Sequence, residues 1–437
     1  MKLVRFAVFR LKKGQQLKLN TVQFLRGLAA ILVVLFHLRI IREQMVFPGR
    51  DVVGLGSALL IENAYAGVDL FFVISGFIMV YVTADRSRGA ATAGVFLASR
   101  AARIYPPWWL FAGLTTAYML TFHVALNRDG LGWAAFADGA VAPGEHLLKS
   151  FALLPQAALP VLNVGWTLIH EMYFYAAFAV TLLVSRRWLG PMLAVWAGLV
   201  AGGAAAGLSA PYPTGFVSLA LHPLTLEFIL GAFAALAVQS GRRWRPALVT
   251  ALASAAWVAA LVFVAPPGSV LPEGAGAGQV MVLGHQIAFD PGAGWHAFML
   301  EWGRVAAFGV PCAGLVYGLV SLEAEGRVKV WRGFVRLGDW SYALYLSHLL
   351  VLLALARGLP LLQARLALPS WAAMTAPGWE TLALFTAVSL VSCLVTAWLA
   401  YRCFERPVMA AFTRLKARWS AGGRARLAPA PVAARIW

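Results

Sequence analysis

The sequence predicts an all-α, polytopic membrane protein with about ten transmembrane helices and both termini in the cytoplasm. Three observations predict it. Of 437 residues, 61% are hydrophobic and only 12% charged, a composition outside the range of soluble globular domains. Apolar runs long enough to cross ~30 Å of hydrocarbon, about 20 residues each, recur near 21–41, 66–84, 107–124, 165–184, 191–209, 224–240, 247–265, 305–322, 341–360 and 382–404. The basic residues are also sorted along the chain. With the N-terminus inside, 27 of the 36 Lys and Arg fall in cytoplasmic segments, eight lie at or near the outer side, and Arg26 sits within the first span. Such asymmetry is what orients helices in a bilayer.

The formal net charge of +18 therefore describes orientation toward a lipid bilayer, because it is spread over six inner segments, and a nucleic-acid partner is excluded. The basic stretch 1–20 is expected to be a cytoplasmic lead-in, since arginines interrupt its apolar residues and no small-residue cleavage site follows. Cys312, Cys393 and Cys403 lie in apolar runs without CxxC spacing or neighbouring histidines, so neither a disulfide framework nor a metal site is expected. The outer loops near 125–164 and 266–304 are rich in Gly, Pro and aromatic residues and long enough to cover a site. No matched pair of Gly/Pro-broken spans occurs in the two halves, which weighs against a transporter. Gly198 and Gly202 form a GxxxG in the fifth span and are read as helix packing.

Ionisable residues within spans cost roughly 2.5–3.5 kcal/mol at the bilayer centre, so each calls for an explanation. In the first span, FLRGLAAILVVLFHL places Arg26 and His37 eleven positions apart. At about 100° per residue this returns to nearly the same face, with a rise of ~16 Å. One wall thus carries a cation near the inner end and an imidazole near the outer end. Span two, AGVDLFFVISGFIM, puts Asp69 one turn below the outer surface and Ser75 near mid-membrane; span four, GWTLIHEMYFY, puts Glu171 about two turns down. His37, Asp69 and Glu171 are expected at a shared depth, where a carboxylate can hold a neutral histidine as a general base. The plainer alternative is a hydrogen-bonded structural set, with Arg26 snorkelling to the interface.

On the inner side, FLASRAARIYPPWW sets Arg100 and Arg103 on one helical face. Guanidinium forks suit the phosphates of a polyanionic ligand, and ordinary inner-leaflet anchoring is the alternative. In DWSYALYLSHLL, Ser341, Tyr345 and His348 form a polar stripe at helical spacing, able to line a groove or link helices. His170 points away from Glu171. The other histidines, His123, His146, His222, His285 and His296, are expected near span ends or in outer loops.

Taken in order, these segments resemble the acyltransferase-3 family of bacterial membrane acyltransferases. The resemblance covers about 20–407 and rests on six motifs: R-x10-H from Arg26 to His37, GVDLFFVISGF from Gly67 to Phe77, R-x-x-R-I-x-P from Arg100 to Pro106, WTLIHEMYF from Trp166 to Phe174, S-Y-x-x-Y-L-x-H from Ser341 to His348, and FERP from Phe404 to Pro407. It makes 21–407 a transmembrane acyltransferase domain and 408–437 a basic, Ala/Pro-rich cytoplasmic tail. The family's common hydrolase-like extension is not expected after Pro407, so that transfer would be completed by the membrane domain or a separate partner.

The resemblance implies an inner-membrane O-acyltransferase with no bound cofactor and no metal. Its donor would be cytoplasmic acyl-CoA, with acetyl expected, and its acceptor an exported polysaccharide or lipid-linked glycan, with polysaccharide assembly proteins as candidate partners. It implies donor binding at Arg26, Arg100 and Arg103 and catalysis at His37, assisted by Glu171 and Asp69, with Ser75, Tyr345 and His348 lining the groove. Competing readings are a transporter or flippase of a glycan precursor, a non-catalytic subunit of a polysaccharide synthase, or acyl transfer to a lipid, peptidoglycan or a small secreted molecule.

Overall fold

A computed structural model describes residues 19–46, 61, 63–126, 132–136, 141–156, 158–209, 215–264, 279–282, 285–288, 302–366 and 379–415. Most of the basic lead-in, the end of the tail and His296 lie outside the described residues. Helices stand at all ten expected places. In chain order they are α1 (Asn20–Ile41), α2 (Gly67–Val82), α3 (Ala90–Met119), a short α4 (Pro143–Ala152) in the loop that precedes α5 (Gly165–Thr181), then α6 (Leu189–Ala205), α7 (Thr225–Gln239), α8 (Pro246–Phe263), α9 (Val310–Ala324), α10 (Arg332–Arg365) and α11 (Trp379–Ala400). Among the described residues, eight helical segments are long and apolar enough to cross a membrane. The regions of α3, which carries Arg100 and Arg103, and α5, only 17 residues long and carrying Glu171, are not among them. Among the described residues the only strands are an antiparallel hairpin, β1 (Gln279–Val282) with β2 (His285–Ala288).

Two helices begin well before their apolar runs. α3 starts at Ala90 and runs unbroken through Arg100, Arg103, Pro106 and Pro107. Proline in a helix interior removes a backbone donor and frees carbonyls one turn back. α10 likewise starts at Arg332. Hydropathy marks only the lipid-crossing part of such helices, because their polar first turns extend beyond the apolar stretch.

Lipid tails are as apolar as leucine, so helices associate here through close packing rather than through expulsion of water. α1 lies between α2 and α10. Gly67 of α2 faces the Ala29 carbonyl, Gly338 of α10 faces the Gln23 carbonyl, and Gly27 of α1 faces Leu337. The α2–α7 crossing is closer still: Gly76 meets the Phe228 backbone and Gly231 the Val73 backbone, leaving no room for a Cβ at either. Beside it, Phe228 stacks on Phe72 (4.6 Å between ring centroids) and on Phe174 (4.4 Å). Gly198 and Gly202, expected to pack helices, have open space where a Cβ would stand, among the described residues; Gly203, one position on, packs against Leu221. The GxxxG spacing is met, but the face that carries it is turned outward. Cys312 and Cys393 are buried, whereas Cys403 is exposed.

Helix ends are tied across the fold. Glu323, at the end of α9, accepts from the backbone N–H groups of Asn20 (2.9 Å) and Thr21 (3.0 Å), so a carboxylate caps the positive end of α1. Asn63, just before α2, donates to the carbonyls of Leu261 (3.0 Å) and Val264 (2.8 Å) at the end of α8. The start of α1 and the end of α9 thus share one side, and the start of α2 and the end of α8 share one side, as alternating spans require.

Replacing Gly231 with Leu forces α7 off the α2 backbone. Overpacking of this kind costs about 1–3 kcal/mol or more, and a lower thermal midpoint in detergent is the expected result. Gly198→Leu, on an open face, leaves that midpoint unchanged.

Candidate functional site

A cleft with about 720 Å³ of free space, its open mouth included, lies between α1, α2, α3, α5 and α10. Its charged end is built from Arg26 of α1, Arg100 and Arg103 of α3, and Glu171 of α5. Because α3 continues as a helix through RAAR, its two arginines share the face turned to α1 and α5. Glu171 Oε1 accepts from Ser75 Oγ at 2.9 Å and from the hydroxyl of Tyr175, one turn along α5. The Arg100 guanidinium lies over the rings of Phe96 (5.6 Å) and Tyr175 (5.9 Å), a cation–π arrangement. Arg100 Nε is buried and has no acceptor among the described residues. Arg103, Glu405 and Glu171 are the charged neighbours of Arg26, and Arg103, Arg26 and Asp339 those of Glu405. In the cavity lining itself three guanidiniums stand against one carboxylate, a surplus of positive charge. Phosphate groups are the natural complement of such a set.

The opposite end of the cavity is closed by aromatic and hydroxyl groups. Tyr345 lines it, with its ring against Phe71 (5.8 Å) and its hydroxyl 2.7 Å from Thr167 Oγ1 and donating to the Val164 carbonyl at 2.9 Å. One turn along α10, His348 lies beside Tyr345 (6.0 Å between ring centroids). The His348 ring meets that of His37 from α1, 4.9 Å between centroids and inclined by 56°. His348 Nε2 is 3.2 Å from His37 Nδ1, which is itself 2.9 Å from the Val33 carbonyl; His348 Nδ1 is 3.2 Å from the Leu344 carbonyl. His348 is fully buried and His37 half-buried. The wall from Arg26 to His37 is therefore joined across α1 and α10 by Tyr345 and His348. Ser341, the third member of the α10 stripe, donates to the Gly338 carbonyl of its own helix.

The expected trio of His37, Asp69 and Glu171 is not assembled. Glu171 joins the arginines and Ser75. Asp69 is fully buried against Arg304, whose Nε and Nη2 donate to its two oxygens at 2.8 and 3.0 Å. Counting residues gives the rise along one helix, but not the height at which that helix starts or its tilt, so equal counts did not mean equal positions. Arg304, read as an outer-loop cation, is 1% exposed. Beside this pair lie Glu227 of α7, fully buried, and the Tyr65 ring, 5.3 Å from the Arg304 guanidinium. Two acidic residues inside spans were the sequence signal that a buried cation had to exist. His146 and His222, expected at span ends or in loops, are fully buried, and His222 packs on His170 with ring centroids 4.7 Å apart. Tyr175, Tyr342, Thr167 and Glu405 also belong to the site region and were not singled out from the sequence; Tyr175 falls at i+4 from Glu171, a spacing that could have found it.

The family model of an acyltransferase domain matches residues 19–401. The exopolysaccharide production protein ExoZ of Rhizobium meliloti (strain 1021) is 33% identical over 298 residues, 67% of this chain and 78% of that protein. Acyltransferase MdmB of Streptomyces mycarofaciens is 26% identical over 364 residues, 77% of this chain and 79% of that protein. Protein 2 in the picA locus of Rhizobium radiobacter is 31% identical over 169 residues, 36% of this chain and 78% of that protein. No solved structure gives a significant match.

Removing one partner of a buried ion pair strands the other charge at a cost of about 3–5 kcal/mol. Arg304→Leu is therefore expected to lower folded yield and thermal midpoint sharply. The double change Asp69→Asn with Arg304→Leu recovers part of the loss, which thermal unfolding in detergent would measure.

Proposed function

The chain belongs to the acyltransferase-3 family and is a membrane acyltransferase, and on that premise we propose that it transfers an acetyl group from cytoplasmic acyl-CoA to a hydroxyl of an exported polysaccharide or lipid-linked glycan. One observation carries this reading: a single cavity has three arginines at one end and Tyr345 at the other, and behind Tyr345 the His348 ring packs against that of His37. The arginine end suits the phosphates of coenzyme A. The sorting of basic residues along the sequence supports a cytoplasmic position for that end, in an inner membrane with both termini inside. The printed name of ExoZ, an exopolysaccharide production protein, supports a glycan acceptor, and polysaccharide assembly proteins are the matching partners.

In this mechanism the donor's phosphates sit on Arg26, Arg100 and Arg103, and the thioester extends along the cavity toward His37. The acceptor hydroxyl comes from the outer side. His37 Nε2 takes its proton as the oxygen attacks the thioester carbonyl. The C–S bond then breaks, and the thiolate takes the proton back from the imidazolium, leaving an ester and a thiol. Glu171 acts by holding the arginine face, not by assisting His37, because its neighbours are those arginines, Ser75 and Tyr175. Asp69 acts by fixing α2 to Arg304.

Membranes with His37→Ala are expected to lose transfer of labelled acetyl from acetyl-CoA to glycan by about 100-fold or more, while still binding acetyl-CoA. Unchanged transfer would remove His37 from the chemistry. Arg100→Met and Arg103→Met should each raise KM for acetyl-CoA roughly tenfold, the loss of a charge-assisted hydrogen bond; an unchanged KM places the donor elsewhere. Mass spectrometry of surface glycans from a deletion strain identifies the acyl group and acceptor through the acyl mass that disappears.

A further inference from the structure

We propose that His348 is a positioning residue that holds the His37 ring in place and receives part of the charge His37 gains; the kinetic part of this proposal rests on the general-base reading above. A carbonyl oxygen only accepts hydrogen bonds, so a ring nitrogen facing one carries the proton. His37 Nδ1 faces the Val33 carbonyl at 2.9 Å, and His348 Nδ1 faces the Leu344 carbonyl at 3.2 Å. Both rings are thereby Nδ1-protonated when neutral. His348 Nε2 then holds a lone pair 3.2 Å from His37 Nδ1, so the single hydrogen on that nitrogen is shared between the Val33 carbonyl and His348. The donors and acceptors form one directed chain, from His37 to His348 to Leu344, with the Val33 carbonyl as second acceptor of the His37 N–H. The end of this chain is His37 Nε2, left with its lone pair for a substrate proton.

Burial separates the two roles. His348 is fully buried, whereas His37 is half-buried, so only His37 can meet the acceptor. When His37 Nε2 takes a proton, its Nδ1–H becomes a stronger donor, and the lone pair of His348 is already placed to receive that bond. In hydrolytic triads a carboxylate orients the histidine; here a neutral imidazole takes that place, and both candidate carboxylates are occupied elsewhere, Glu171 by Ser75 and Tyr175 and Asp69 by Arg304. The rings are held at this separation by the packing of α1 on α10, where Gly27 and Gly338 let the helices approach.

The test uses the full-length protein and two substitutions. His348→Gln keeps an acceptor, the amide Oε1, for the His37 N–H; His348→Leu keeps bulk and removes the acceptor. With acetyl-CoA as donor and native membranes as the acceptor source, His348→Leu is expected to lower kcat roughly 10–100-fold, the usual effect of losing an orienting partner. His348→Gln should stay within about tenfold of the unaltered protein, and KM for acetyl-CoA should change less than about twofold in both. Unaltered kcat in His348→Leu overturns the proposal, as does an equal loss in both variants or a loss confined to KM. A second readout needs no acyl donor. In detergent-purified protein carrying ¹⁵N-histidine, the His37 signals, assigned by their disappearance in His37→Asn, should report the Nδ1-protonated tautomer in the unaltered protein, with the Nδ1 signal kept near its place in His348→Gln and shifted in His348→Leu, where one of its two acceptors is gone. An Nε2-protonated His37 in the unaltered protein overturns the His348 role by itself. Absence of transfer by the unaltered protein instead overturns the donor-and-acceptor reading.

Discussion

The close seating of α1 between α2 and α10 is the contact on which the site depends. Hydrocarbon gives apolar side chains no reason to prefer one another over lipid, so these helices are held by backbone approach at glycine. Gly67 against Ala29 and Gly338 against Gln23 bring the three axes near enough for side chains of ordinary length to bridge them. From that seating follow the meeting of His37 with His348 and the position of Arg26 beside Arg103 and Glu171. Larger residues at these glycines would part the helices, and each polar side chain would then lack the partner that makes its burial tolerable.

The buried charges divide into two groups with different balances. Asp69, Arg304 and Glu227 enclose their charge within the fold, with both Asp69 oxygens taken by one guanidinium. A pair desolvated this fully adds little net stability compared with apolar packing, but it is costly to break, and so it fixes how α2, α7 and the start of the α9 segment meet. The second group, Arg26, Arg100 and Arg103 with Glu171, faces a cavity and is left with excess positive charge. A closed group serves architecture. An open and unbalanced one is suited to an anionic ligand.

The histidines show why spacing alone could not identify the working pair. His37 and His348 lie more than three hundred residues apart in sequence, on helices with nothing in the chain between them to signal contact. His170 and His222 also meet, and both are fully buried. Both pairs look alike as buried imidazoles. What distinguishes His37 is its partial exposure and the nitrogen its neighbours leave available.

By itself the sequence determined the helical class, the approximate location of ten helices and the placing of Arg100 and Arg103 on one helical face, because these depend only on local hydropathy and on the 3.6-residue period. It also carried the family resemblance, which the match over residues 19–401 bears out. Only the tertiary structure decided which polar residue meets which. Glu171 went to the arginines, Asp69 to Arg304 and His37 to His348, and the GxxxG of α6 turned outward. Such pairings depend on the height, tilt and neighbours of each helix, which are set by side chains packing across the bundle and leave no periodic trace in any one segment.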